Sequence, residues 1–166
     1  MIYGKFGTCS GQACIAIDYI LVQKDFAPTL VHLLKEEIKS MLGKKPKETM
    51  ARIINKRHFK RLTDLLDEPG VKDSIVHGGS IDEDKLYIEP TILLDPPVDA
   101  AIMKDEIFGP LLPIITLENI EQSIEFVNSM PKPLAIYCFT NNNKLMRRLA
   151  EETSSGALVS ILLFSI

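Results

Sequence analysis

The chain has 166 residues, 46% of them apolar, and 19 Lys plus Arg against 22 Asp plus Glu give a formal net charge of −3. That is enough chain for one domain with a buried core, and a mildly acidic sequence with no basic cluster among aromatics argues against a nucleic-acid partner. Cys9, Cys14 and Cys138 are too few and too uneven for a secreted disulfide framework, so a reducing, cytoplasmic setting is expected. Residues 1–7 carry neither the apolar core of a signal peptide nor an arginine-rich transit stretch. The longest apolar run, residues 157–166, falls short of the roughly 20 residues that span a bilayer, so no membrane span is expected.

In chain order, residues 19–22 read as a short strand, and Phe26, Leu30, Leu34, Ile38 and Met41 then recur at helical spacing. Gly43 and Pro46 stop that helix, leaving residues 44–47 as a charged loop. A second helix over residues 58–66 buries Phe59, Leu62, Leu65 and Leu66, and Pro69-Gly70 ends it. Residues 74–77 form a short strand closed by Gly78-Gly79, and residues 82–85 an acidic surface turn. Residues 87–94 are β-rich, with Pro90 marking a bulge or an edge. After an irregular stretch, 99–109, residues 111–116 read as a strand. Asn119 with Gln122 caps a helix that buries Ile120, Ile124 and Val127. Residues 134–139 have no charge, as in a strand covered on both faces, and Cys138 within it reads as core. A last helix, 143–152, ends at Ser154-Ser155-Gly156. The alternation of strands and helices predicts an α/β domain with a largely parallel sheet flanked by helices.

The chemistry-bearing candidate is Gly7-Thr8-Cys9-Ser10-Gly11-Gln12-Ala13-Cys14, directly before an apolar stretch, 15–22. Its glycines let the backbone turn sharply and approach a ligand closely. A cysteine at the end of such a turn meets backbone N–H donors placed to hold negative charge, first on sulfur and later on the oxyanion of a tetrahedral adduct. The bland alternative is a small apolar residue beside a structural turn. His32, His58 and His77 have no paired ligand spacing, so no metal site is expected.

Gly11-Gln12-Ala13-Cys14 resembles the nucleophile segment of the aldehyde dehydrogenases, where a Gly-Gln-X-Cys motif supplies the catalytic thiol. Glu106-Ile107-Phe108-Gly109-Pro110 resembles that family's second landmark, on the nicotinamide-ribose side of its active site. Glu89-Pro90-Thr91 between the two landmarks resembles the Pro-Thr stretch that precedes the second, and the run 134–141 and Thr153-Ser154-Ser155-Gly156 follow in the family's order. The likeness covers about residues 4–157, and Gly78-Gly79-Ser80 with the acidic turn resembles the class 3 branch, particularly its plant members.

This resemblance implies that Cys14 is the nucleophile, that Glu106 accepts from the nicotinamide ribose, and that Phe108 packs near the nicotinamide. It implies NAD or NADP as cofactor and an aldehyde as small-molecule substrate. The family's dinucleotide-binding domain, its oxyanion-hole asparagine and its general-base glutamate are not among these residues. Residues 1–157 are therefore expected to be part of a catalytic domain, inactive alone, and residues 158–166 a divergent apolar tail. An alternative is a silent isoform that associates with full-length subunits. The tail, with Leu158, Val159, Ile161, Leu162, Leu163, Phe164 and Ile166, predicts self-association, with residues 157–159 buried if they pair as a strand.

Overall fold

Helix α2, Ala27–Leu42, takes its position from a stripe of apolar residues at three- and four-residue spacing. Val31, Leu34, Ile38 and Leu42 are buried along that stripe, while Leu33 is left exposed. Pro28 sits in the first turn, where its missing N–H costs nothing, and Gly43 ends the helix at φ +58°. The computed structural model describes residues 1–7, 9–43 and 46–161. Thr8 of the cysteine loop, residues 44 and 45 of the charged loop and residues 162–166 of the tail lie outside the described residues.

The chain divides into two compact units, residues Met1–Thr116 and Leu117–Ile166. The first contains a four-stranded sheet of β1 (Ile20–Gln23), β2 (Ile75–His77), β5 (Thr91–Leu94) and β6 (Leu111–Leu117), in the order β1-β6-β5-β2. Strands β5 and β6 run parallel in the register Thr91↔Leu111 to Leu94↔Ile114, whereas β2 pairs antiparallel with β5. The sheet is thus mixed, and the predicted parallel character holds for its central pair. Side chains alternate faces along a strand. Ile92, Leu112 and Ile114 accordingly join α1 (Ile2–Phe6) and α2 in one core with Ile2, Phe6, Ile20, Val31, Leu34 and Ile38.

Helix α4, Lys56–Asp67, begins at Asn55, whose side chain accepts from the His58 N–H at 2.9 Å. It buries Phe59, Leu62 and Leu66, with Leu65 only half-buried. The proline and glycine expected to follow it as a turn instead start a further short helix, α5 (Pro69–Asp73). Proline fits there because the first helical position needs no N–H. A four-residue helix, α3 (Pro46–Thr49), likewise occupies part of the expected charged loop. The acidic turn becomes the tip of a hairpin between β3 (Ile81–Asp82) and β4 (Tyr87–Ile88). Pro90 separates β4 from β5, where the sequence showed one interrupted run.

The second unit pairs β7 (Ala135–Phe139) with β8 (Ala157–Ile161) in parallel, joined through α7 (Asn143–Glu152), and carries α6 (Ile120–Ser129) before them. Asn119 accepts from the Gln122 N–H at 3.0 Å while Gln122 accepts from the Glu118 N–H at 2.8 Å, so the expected capping pair forms. Arg148 ties α7 to Glu121 of α6 and to Glu152 one turn on. Three expectations fail in this unit. Of the three residues expected to be buried by α6 only Ile124 is, with Ile120 and Val127 half-buried. Every residue of β7 is half-buried, Cys138 included, although the run lacks charge. An uncharged strand shows only that its faces can be covered, and which faces are covered is set by packing. Ala157 and Val159 are exposed and Leu158 half-buried, so pairing orders this stretch without burying it.

Candidate active site

The cysteine loop leaves α1 at Gly7 and tightens through three chain-reversing bonds. Ser10 N–H donates to Gly7 C=O at 3.2 Å, Gln12 N–H to Cys9 C=O at 3.1 Å, and Ala16 N–H to Ala13 C=O at 2.9 Å. Ser10 and Gly11 both have positive φ, +51° and +77°. Serine tolerates that conformation only at a cost, and here it is fully buried with its hydroxyl donating to Ala51 C=O at 2.9 Å. Gln12 is the stitch of the motif. Its Nε2 donates to the carbonyls of Cys9 and Arg52, each at 3.0 Å, and its Oε1 accepts from the Ile54 N–H at 2.9 Å. The amide side chain thus fixes the turn against the 51–54 segment. Cys14, at the end of it, is exposed, as is Cys9.

Gly11 touches the second motif directly. A Cβ built on it would lie 2.2 Å from the Gly109 carbonyl oxygen, a distance no side chain can occupy, so only glycine lets the two backbones meet. Gly109 in turn has the Leu62 side chain of α4 2.6 Å from where its own Cβ would be. The structure therefore brings together two motifs about ninety residues apart in sequence. In the second motif Glu106 is exposed, Ile107 is buried, and Phe108 is half-buried at φ +47°, a conformation rare for an aromatic residue. An exposed carboxylate can accept hydrogen bonds from hydroxyls, and the partly covered ring beside it offers an apolar face. Among the described residues no group of three or more His, Cys, Asp and Glu is placed to hold a metal ion.

Three charged residues join the motifs, and the sequence reading missed all of them. Asp18, four residues after Cys14, accepts the Ile107 N–H on Oδ1 at 2.9 Å. Arg61 of α4 donates to the Ile107 carbonyl from the other side. Lys5 of α1 is only 1% exposed, and its Nζ has no hydrogen-bond partner among the described residues. Burial pushes its ammonium down from the ordinary 10.5 to about 8, partly offset by the Asp18 charge. Burial raises the Asp18 carboxyl, opposed by Lys5, the Ile107 N–H and Arg61. The available signal was an aspartate inside the apolar run Ile15-Ala16-Ile17-Asp18-Tyr19-Ile20, where an unpartnered charge would be costly. Cys138, by contrast, has its thiol pushed up by burial. No helix among the described residues is long and apolar enough to cross a membrane.

Comparison with known proteins identifies the family. A model of the aldehyde dehydrogenase family matches residues 1–160. Aldehyde dehydrogenase family 3 member F1 of Arabidopsis thaliana is 60% identical over 157 residues, covering 93% of this chain and 32% of that protein. The substrate-bound state of Staphylococcus aureus AldH superposes with a TM-score of 0.89 at 38% identity, over 96% of this chain and 34% of that one. The NADP-complexed glyceraldehyde-3-phosphate dehydrogenase GapN of Methanocaldococcus jannaschii gives a TM-score of 0.81 at 28% identity, over 96% and 35%. The chain thus spans about a third of the length of the relatives it matches.

Proposed function

The chain belongs to the aldehyde dehydrogenase family, and from that premise we propose that Cys14 is the nucleophile of an NAD(P)-dependent oxidation of aldehydes to carboxylic acids. The Cys14 sulfur adds to the aldehyde carbonyl carbon, whose oxygen takes up a proton, giving a thiohemiacetal. Loss of hydride from that carbon and of the hydroxyl proton leaves a thioester on Cys14. Water then attacks the thioester carbon, releasing the acid and returning the thiol. Covalent capture splits one difficult oxidation into two easier steps. NAD or NADP, when bound, accepts the hydride. Glu106 would hold that cofactor by accepting from its ribose hydroxyls, and Phe108 would pack against its nicotinamide. In the proposed division, residues 1–157 contribute this part of a catalytic domain, and 158–166 are a divergent tail.

The observation that carries the reading is the backbone contact between Gly11 and Gly109, which sets the cysteine turn beside the Glu106 segment. Iodoacetamide labelling with peptide mapping tests it. Cys14 is expected to react first, Cys9 after it, and half-buried Cys138 last. Preferential labelling of Cys9 or Cys138 would remove Cys14 from the role. In an enzyme that carries this segment whole, Glu106→Gln is expected to lower kcat about tenfold with little change in aldehyde KM, because one weakened acceptor loosens the ring without touching the aldehyde. An unchanged kcat with hydride transfer rate-limiting would take Glu106 off the site.

A further inference from the structure

We propose that Asp18 and Arg61 are positioning residues, a clamp on the Ile107 backbone that takes its N–H and its C=O, holds Phe108 in its left-handed conformation and so aims Phe108 and Glu106 toward the cysteine turn. The inference rests on the reading of Glu106 and Phe108 given above. Both hydrogen-bonding groups of Ile107 are held by charged side chains from different elements: Asp18 Oδ1 takes its N–H at 2.9 Å, and Arg61 of α4 donates to its carbonyl. Hydrogen bonds to ionised groups are the stronger kind, and they are in place on the residue directly before the strained one. Phe108 at φ +47° is unfavourable by itself and persists only where its surroundings over-determine it. Fixed peptides on the Ile107 side and the close-packed Gly109 on the other provide that constraint.

The clamp also links the two motifs by a route separate from the Gly11–Gly109 contact, since Asp18 lies four residues beyond Cys14 on the same segment. Lys5 completes it. Its ammonium is buried without a hydrogen-bond partner among the described residues, and the Asp18 charge is what favours it there. A carboxylate that only solvated itself at the surface would need neither neighbour.

Amide hydrogen exchange of the ¹⁵N-labelled chain, read residue by residue, tests the proposal. In the unaltered chain the Ile107 amide is expected to be protected, and exchange at its intrinsic unprotected rate would overturn the clamp at once. In Asp18→Ala, exchange at Ile107 should rise about ten- to a hundredfold, and the Phe108 backbone carbon shifts should leave the left-handed range. The amides of Leu112 and Ile114 in β6 should keep their protection. Asp18→Asn, which retains an acceptor oxygen, should restore Ile107 to within about threefold of the parent. A general loss of protection through β5, β6 and α4 would mean a merely structural role, and failure of the Asn variant to rescue would also overturn it. The order of cysteine labelling is independent of Ile107 protection, so failure of the clamp and failure of the Cys14 assignment are distinguishable.

Discussion

Gly11→Ala is expected to destabilise the first unit by about 3 kcal/mol or more and to abolish the preferential labelling of Cys14. The left-handed backbone at φ +77° alone costs an alanine roughly 1–2 kcal/mol. The added methyl would then meet the Gly109 carbonyl oxygen at 2.2 Å. No rotation relieves a Cβ, so one of the two backbones must move, and either movement separates the cysteine turn from the Glu106 segment. For a chain of this size, a loss of that order lowers the melting temperature by about 6–12 °C. Far-UV circular dichroism suits the measurement, because the chain has no tryptophan to report by fluorescence. Gly4→Ala is the matched control. Gly4 is within α1, and its Cβ would meet nothing within 4 Å, so that substitution should be neutral or stabilising by about 0.5–1 kcal/mol. Equal melting temperatures for Gly11→Ala and the parent would show that the turn does not rest on Gly109.

The second large effect is a pH dependence carried by Lys5. Its folded-state value of about 8 lies below the ordinary 10.5 because burial disfavours the ammonium. Between those two values the unfolded chain binds more protons than the folded one, so stability must rise with pH through that window. The cost of burying the charge is present in full below about pH 8 and is gone above about 10.5. The gap between the two values corresponds to about 3 kcal/mol. Lys5→Met, of similar length and uncharged, should flatten the rise and be more stable than the parent at neutral pH. Its gain there should be less than the full 3 kcal/mol, because Asp18 then loses a compensating charge. The comparison is made on denaturant midpoints of the two proteins over the same pH range, which cancels the titration of tyrosines and cysteines elsewhere. A parent and variant with parallel pH profiles would show that Lys5 is solvated in the folded chain.

The two predictions bear on the same small region from opposite directions. Gly11 and Gly109 hold the motifs together by steric fit, and Lys5, Asp18 and Arg61 by charge. The charged set is expensive. Buried ionic groups add little net stability compared with apolar residues of the same shape, so their retention next to Ile107 fits a role in fixing one conformation. Site geometry and stability are coupled at this point, and substitutions that relieve the cost of Lys5 are the ones to examine for loss of Cys14 selectivity.

The sequence by itself determined the local elements and marked out the two motifs. Apolar spacing located α2, α4 and α6, Asn119 with Gln122 marked a capped start, and glycine-rich Gly11-Gln12-Ala13-Cys14 marked a turn that presents a thiol. These are properties of a few neighbouring residues, and local physics fixes them. Only the tertiary structure decided that Pro69 opens a helix and does not close one, that β2 joins the sheet antiparallel, and that β7 is half-exposed. Proline permits either role, and strand direction and coverage depend on what packs alongside. The charged clamp was likewise out of reach of the sequence. Lys5, Asp18 and Arg61 have ordinary spacing and no motif, and they come together only because the fold buries Lys5 and sets Asp18 on the N–H and Arg61 on the C=O of one residue, Ile107.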